Sequence, residues 1–169
     1  MATGRDSKEE PGAIDTATLF EGDPFEAMKR AHSDVMALCD QLENIADSLP
    51  DNVDRQTCVH AARTLWPLVR SVHSFEETVL FPLVEEKFAG REGLSQTIER
   101  LKHEHFDDEC YAEELTDSLL RLGAGDQGLN PEATGYMLRG FFEAMRRHIA
   151  FEEEHLLGPA MAETEKRAL

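Results

Sequence analysis

The sequence predicts an all-α protein, an up-down-up-down antiparallel four-helix bundle. Three observations carry this expectation. Apolar residues recur at steps of three and four along four long stretches; the connections between them are short and rich in Pro, Gly, Asp and Asn; and no stretch alternates with a strand's period of two. With 169 residues the chain suits one domain.

The first 22 residues are polar and acidic, with a Pro-Gly pair and scattered apolar side chains, and are expected to form a flexible tail ahead of a bundle over residues 23–166. Asp23-Pro24 then offers a helix cap followed by proline at the first helical position. Phe25, Met28, His32, Val35, Cys39, Leu42, Ala46 and Leu49 form one seam along this first helix. Leu49-Pro-Asp-Asn52 ends it and turns the chain back. The second helix is expected over about Val53 to Phe88, kinked near Leu65 to Pro67, with Val69, His73, Glu77, Leu80 and Val84 on one face. Gly90-Arg-Glu-Gly93 reverses the chain again.

The third helix carries the most regular heptads: Leu94, Ile98, Leu101, His105, Asp108, Ala112, Leu115, Leu119 and Leu122. His105 lies in that seam, whereas His103, about 200° round the helix, should face solvent. Gly123-Ala-Gly-Asp-Gln-Gly128 closes the helix, and Asn130-Pro131 opens the fourth, whose seam reads Leu138, Phe141, Met145, His148, Glu152 and His155.

Thirty-four acidic against seventeen basic residues give a formal charge of -17, which disfavours nucleic acid and anionic lipid surfaces as partners. No apolar run is long enough for a membrane span, and the N-terminus lacks a signal peptide's layout, so a cytoplasmic protein is expected. The three cysteines, Cys39, Cys58 and Cys110, lie far apart and read as small core residues.

Two stretches carry the chemistry. His148-Ile-Ala-Phe-Glu-Glu-Glu-His155 and His73-Ser-Phe-Glu-Glu77 each contain His-x-x-x-Glu, and each is followed by a leucine and a proline. On a helix that spacing aims an imidazole and a carboxylate at one spot. Counted from the helix ends, His32, His105, Glu77 and Glu152 lie roughly 10 to 17 Å from the same end of an antiparallel bundle. A polar core network would explain any one of these histidines, but a shared depth on four helices points to metal. Mixed imidazole and carboxylate donors suit iron, manganese or zinc, and six of them suit two ions bridged by two carboxylates.

The order His, His-x-x-x-Glu, His, His-x-x-x-Glu on successive helices resembles the hemerythrin family in its His-His-Glu cation-binding branch. The similarity covers about residues 13 to 162, with "His73-Ser-Phe-Glu-Glu-Thr-Val-Leu-Phe-Pro82" and "Glu104-His105" closest to the family's phrasing. Resemblance implies a non-haem di-iron centre, oxo- or hydroxo-bridged when oxidised, ahead of manganese or zinc. His32, His73, His105 and His148 would be terminal ligands and Glu77 and Glu152 bridges. It also implies that O₂, NO or peroxide binds at an open position. Oxygen-carrying hemerythrins have His-x-x-x-His on the third helix, and here Glu109 stands at the second place. That sets the chain nearer to members linked to oxidative and nitrosative stress, iron-centre repair, or iron and oxygen sensing. Two function classes stay open: an enzyme-like di-iron protein acting on O₂, NO or peroxide, and an iron or gas sensor, or iron donor, working through a partner protein, as a monomer or weak dimer. A ferritin-like carboxylate centre ranks third, because only Glu152-x-x-His155 matches its Glu-x-x-His pairs.

Asp108 is expected to accept a hydrogen bond from a ligand imidazole or, less readily, to bind metal itself, Glu109 to reach the metal or a ligand imidazole, His155 to sit at a helix end, and His60 to be structural. Trp66, Phe141 and Met145 read as core.

Overall fold

In the computed structural model, which describes residues 18–168, every regular element among the described residues is helical. Helix α1 spans Pro24–Ser48, with the Asp23 carboxylate accepting from the Phe25 and Glu26 amides at 3.1 Å each. Helix α2 spans Arg55–Phe75 and is capped by Asp54, which the sequence reading passed over. It continues through Pro67 and leads into a wide π turn at Glu76–Leu80. There the Phe81 amide reaches back five residues to the Glu76 carbonyl. Helix α3, Phe81–Lys87, follows.

Helix α4 spans Leu94–Ala124 between two glycines in the left-handed region, Gly93 at φ 80° and Gly125 at φ 74°. Helix α5 spans Pro131–Glu152, capped by Asn130, and a second π turn, Glu153–Leu157, leads into α6, Gly158–Ala168. A Cβ on Gly158 would lie 2.9 Å from the Glu153 carbonyl oxygen that closes this turn, a close approach that glycine avoids, while Phe81 takes the equivalent place in the first wide turn.

The long helices pack around one apolar core in which Phe81, Phe141, Met28, Leu65, Ile98 and Leu115 are among the largest fully buried side chains. Arg146 reaches from α5 to Asp40 and Glu43 on α1, and Arg139 to Asp47. The Tyr111 hydroxyl on α4 donates to the Met137 carbonyl on α5 at 2.7 Å. No helix among the described residues is long and apolar enough to cross a membrane.

Residues 1–17, most of the expected tail, lie outside the described residues. Its last part packs instead of trailing: Leu19 and Phe20 lie against the core, and the Phe20 ring stacks on Phe75 with centroids 4.2 Å apart. Two adjacent apolar residues next to the first cap outweigh the polar composition around them. Cys39 and Cys58 are buried as expected, but Cys110 is exposed. It is five residues past His105, about 140° round α4 from the seam. Trp66 is only partly buried, with the Arg70 guanidinium 4.9 Å above its ring.

Close approach of α4 to α2 depends on Gly123, where a Cβ would meet Val59 Cγ2 at 2.5 Å and the Arg55 carbonyl oxygen at 3.2 Å. Gly123→Ala should therefore destabilise the fold by about 1 to 3 kcal/mol, measured as a lowered midpoint in urea. Helix propensity alone would raise stability by roughly 1 kcal/mol, so a raised midpoint would show that the two helices have room to spare.

Candidate metal centre

Six of the buried polar side chains converge at one level of the bundle: His32 from α1, His73 from α2, Glu76 from the first π turn, His105 from α4, and His148 and Glu152 from α5. The seams deliver them. Each sits in line with core residues of its own helix, between Met28 and Val35, Val69 and Leu80, Leu101 and Ala112, or Met145 and Leu156.

The carboxylate from the first π turn is Glu76, not the expected Glu77. Glu76 is 1% exposed and points inward, whereas the Glu77 side chain is 37% exposed and lies outside the ring. Residues three and four on from His73 both lie near its face of the helix, so the spacing alone does not choose between Glu76 and Glu77. The wide turn that begins at Glu76 then lets Leu80 and Phe81 remain buried after it, with one more residue than an α turn would hold. The sequence did contain the signal: Glu76 precedes Leu80 by four residues as Glu152 precedes Leu156 by four, and aligning the two stretches on the leucine selects Glu76.

The two glutamates span the site. Glu76 places Oε1 3.0 Å from His32 Nε2 and Oε2 3.3 Å from His105 Nε2. Glu152 places Oε2 3.4 Å from His32 Nε2 and Oε1 3.3 Å from His148 Nε2. His73 joins from the side, its ring stacked on His105 at 4.0 Å.

Each imidazole is held from behind by a second carboxylate on Nδ1: Glu153 at 3.4 Å for His32, Glu109 at 3.3 Å for His73, Glu77 at 2.8 Å for His105 and Glu104 at 3.2 Å for His148. A carboxylate accepts, so Nδ1 donates, and Nε2 is the nitrogen left to take a proton or a cation. Asp108, the acceptor expected for a ligand imidazole, stands 3.9 Å from His148 Nδ1, and Glu104 takes that place. Glu109 lies in this outer ring, behind His73. Sequence periodicity could not find the outer ring, because three of its members fall off the buried seams and are chosen by ring rotation. His60 and His103 are exposed, and His155 lies against the Phe151 ring, outside the cluster.

Without a cation the arrangement is electrostatically frustrated. His105 Nε2 and His148 Nε2 face each other at 3.2 Å, and Glu76 Oε2 and both Glu152 carboxylate oxygens are buried without a hydrogen-bond partner. Burial presses His32 and His148 toward the neutral form, but the close carboxylates of Glu152 and Glu76 outweigh it and hold them up to about 10 and about 9. His73 goes the other way, to about 4, because burial is joined by the neighbouring His105 and His148 and Glu109 compensates only in part. Burial and the charge of Glu152 push Glu76 up; burial also presses Glu152 upward, but the close imidazoles of His105, His148 and His32 outweigh it and hold its carboxyl well below the usual range.

Cations between the two glutamates and the four imidazoles would satisfy all of these groups. Two sets of donors lie within 4.8 Å of one another: His73, Glu76, His105 and His148, and His32, Glu76 and Glu152. The helical fold and this core of converging imidazoles and carboxylates define a protein built to hold cations. It belongs to the hemerythrin family: the model of the hemerythrin HHE cation binding domain matches residues 23–160. No curated protein and no solved structure matches the chain.

Glu76→Gln should remove most bound metal, since it takes away a buried anion that touches both halves of the site. Glu77→Gln should keep the metal with affinity lowered about 10- to 100-fold, the usual effect of losing an outer partner. Metal analysis after desalting distinguishes the two, and the reverse order would restore Glu77 to the inner ring.

A second expectation concerns pH. A histidine raised from 6.5 in the folded state contributes stability that is complete below 6.5 and lost as pH rises through its folded value, here about 10 for His32 and about 9 for His148. Glu76, raised by burial, loses its contribution in the same direction. The metal-free protein should therefore melt at lower temperature as pH rises from 6.5 to 10, and metal should flatten that slope by replacing the protons. Differential scanning fluorimetry of both forms checks this; parallel slopes would mean that metal and protons do not compete.

Proposed function

We propose that the site holds two iron ions and that the protein binds or reacts with O₂, NO or peroxide there, in a response to oxidative or nitrosative stress or in repair of iron centres. The observation that carries this reading is the pair of buried glutamates, whose oxygens divide between His32 on one side and His105 and His148 on the other and are left largely without hydrogen-bond partners. His32, His73, His105, His148, Glu76 and Glu152 would hold the ions, with both glutamates bridging. Iron bound there supplies one-electron redox chemistry and coordination positions for a small ligand.

The chain's own residues restrict what can enter. Beside His73, His148, Glu76 and Glu152 lies a cavity of about 10 Å³ walled by Val35, Val69, Val72, Met145 and Ile149. It is about the space of one water molecule. Such walls admit a molecule of two or a few atoms, give it no hydrogen bond, and keep bulk water away. Glu109 behind His73 keeps that ring in one tautomer and fills the place of a further histidine without approaching the inner ring.

The up-down-up-down antiparallel order belongs to the same reading and is supported by the pairings of Asp47 with Arg139, Asp40 with Arg146 and His32 with Glu153, whose numbers fall on α1 as they rise on the partner segment. A cytoplasmic location is supported by the free thiols of Cys39, Cys58 and Cys110. The closure of the site favours a second reading, an iron or gas sensor, or iron donor, that acts through a partner protein. Purified protein should hold close to two irons per chain. Stopped-flow mixing of the ferrous protein with O₂, NO and peroxide in turn separates the readings: repeated fast turnover marks the enzyme, a single stoichiometric adduct the sensor, and no spectral change with any of the three would overturn both.

A further inference from the structure

Resting on the two-metal reading above, we infer that the two metal positions are chemically unequal, and that the one at His32 is an exchangeable, oxygen-rich position that accepts Mn²⁺ where the other retains Fe²⁺. The donors divide unevenly. On one side His73, His105 and His148 stand with Glu76 Oε2 and Glu152 Oε1, which lies 3.3 Å from His148 Nε2 and 3.8 Å from His105 Nε2. On the other, His32 Nε2 stands with Glu76 Oε1 at 3.0 Å and Glu152 Oε2 at 3.4 Å. Three imidazoles and two carboxylate oxygens therefore face one ion, and one imidazole and two oxygens face the other.

Donor number and donor type act together. The nitrogen-rich position offers two more protein donors and favours the later divalent ions, because imidazole discriminates along the series from manganese to copper more steeply than carboxylate does. The His32 position leaves more of its ion's coordination to water or small ligands and is dominated by hard oxygen donors, which suit Mn²⁺ and Mg²⁺. Among the described residues no further buried imidazole flanks His32 on its own helix, where Met28, Ala31 and Val35 are its buried neighbours, and its Nδ1 is engaged by Glu153.

The test is an anaerobic titration of the metal-free full chain with Fe²⁺, with Mn²⁺, and with an equimolar mixture, followed by desalting, metal analysis and Mn²⁺ electron paramagnetic resonance. The first Fe²⁺ should bind at least tenfold more tightly than the second. From the mixture the protein should take Fe and Mn in near-equal amounts, and the preference for Fe over Mn should be at least tenfold greater at the first position. His32→Ala should keep one ion, preferentially Fe²⁺, and lose Mn²⁺ uptake; His73→Ala should weaken the first ion and leave Mn²⁺ binding in place, with circular dichroism confirming the helical fold of both. Two ions of equal affinity and equal Fe:Mn preference, or loss of both ions together in His32→Ala while the fold persists, would overturn the inference and leave the two-metal reading standing. Binding of neither Fe²⁺ nor Mn²⁺ would overturn both.

Discussion

Everything else in the molecule answers to the burial of two carboxylates, Glu76 and Glu152, in a core otherwise made mostly of apolar side chains, leucine and alanine foremost. An anion in such surroundings costs several kcal/mol unless positive charge reaches it. Four imidazoles do reach it; without metal they can supply that charge only by taking up protons, as His32 and His148 do, and two of their ring nitrogens face each other across 3.2 Å. Cations are the natural complement, so the free energy of metal binding is also free energy of folding.

An outer shell of carboxylates makes this arrangement specific. Glu77, Glu104, Glu109 and Glu153 each stand behind one imidazole and are themselves between 31% and 49% exposed. One edge of every ring is thus fixed by an anion that water can stabilise, at modest cost, and the other edge is free for a metal. The acidic composition, a formal charge of -17, is partly the visible surface of this shell.

Much of this was legible in the sequence. Asp23-Pro24 and Asn130-Pro131 mark helix starts that the structure reproduces, and the seam of α4 separated buried His105 from exposed His103. His32, His148 and Glu152 fall where periodicity places them, since α1 and α5 stay regular up to those residues. Glu77 was chosen over Glu76 because residues three and four on from His73 share a helical face, and only the burial of Glu76 separates them. Asp54 was missed because Val53 seemed to begin the helix, and the docking of Leu19 and Phe20 because their partner, Phe75, lies far along the chain. Local pattern carries no information about such partners.

The two wide turns have a further bearing on how the chain tolerates change in length. A π turn takes one residue more than the α turn it replaces while leaving the helix on either side facing the same way. Glu76 with Leu80 and Phe81, and Glu152 with Leu156 and Leu157, therefore keep their inward faces across an extra residue. Between Glu77 and Val79, and again between Glu154 and His155, the backbone carries slack. A chain shorter by one residue there can close into ordinary α-helix with its buried face intact. The loose length lies just beyond each carboxylate.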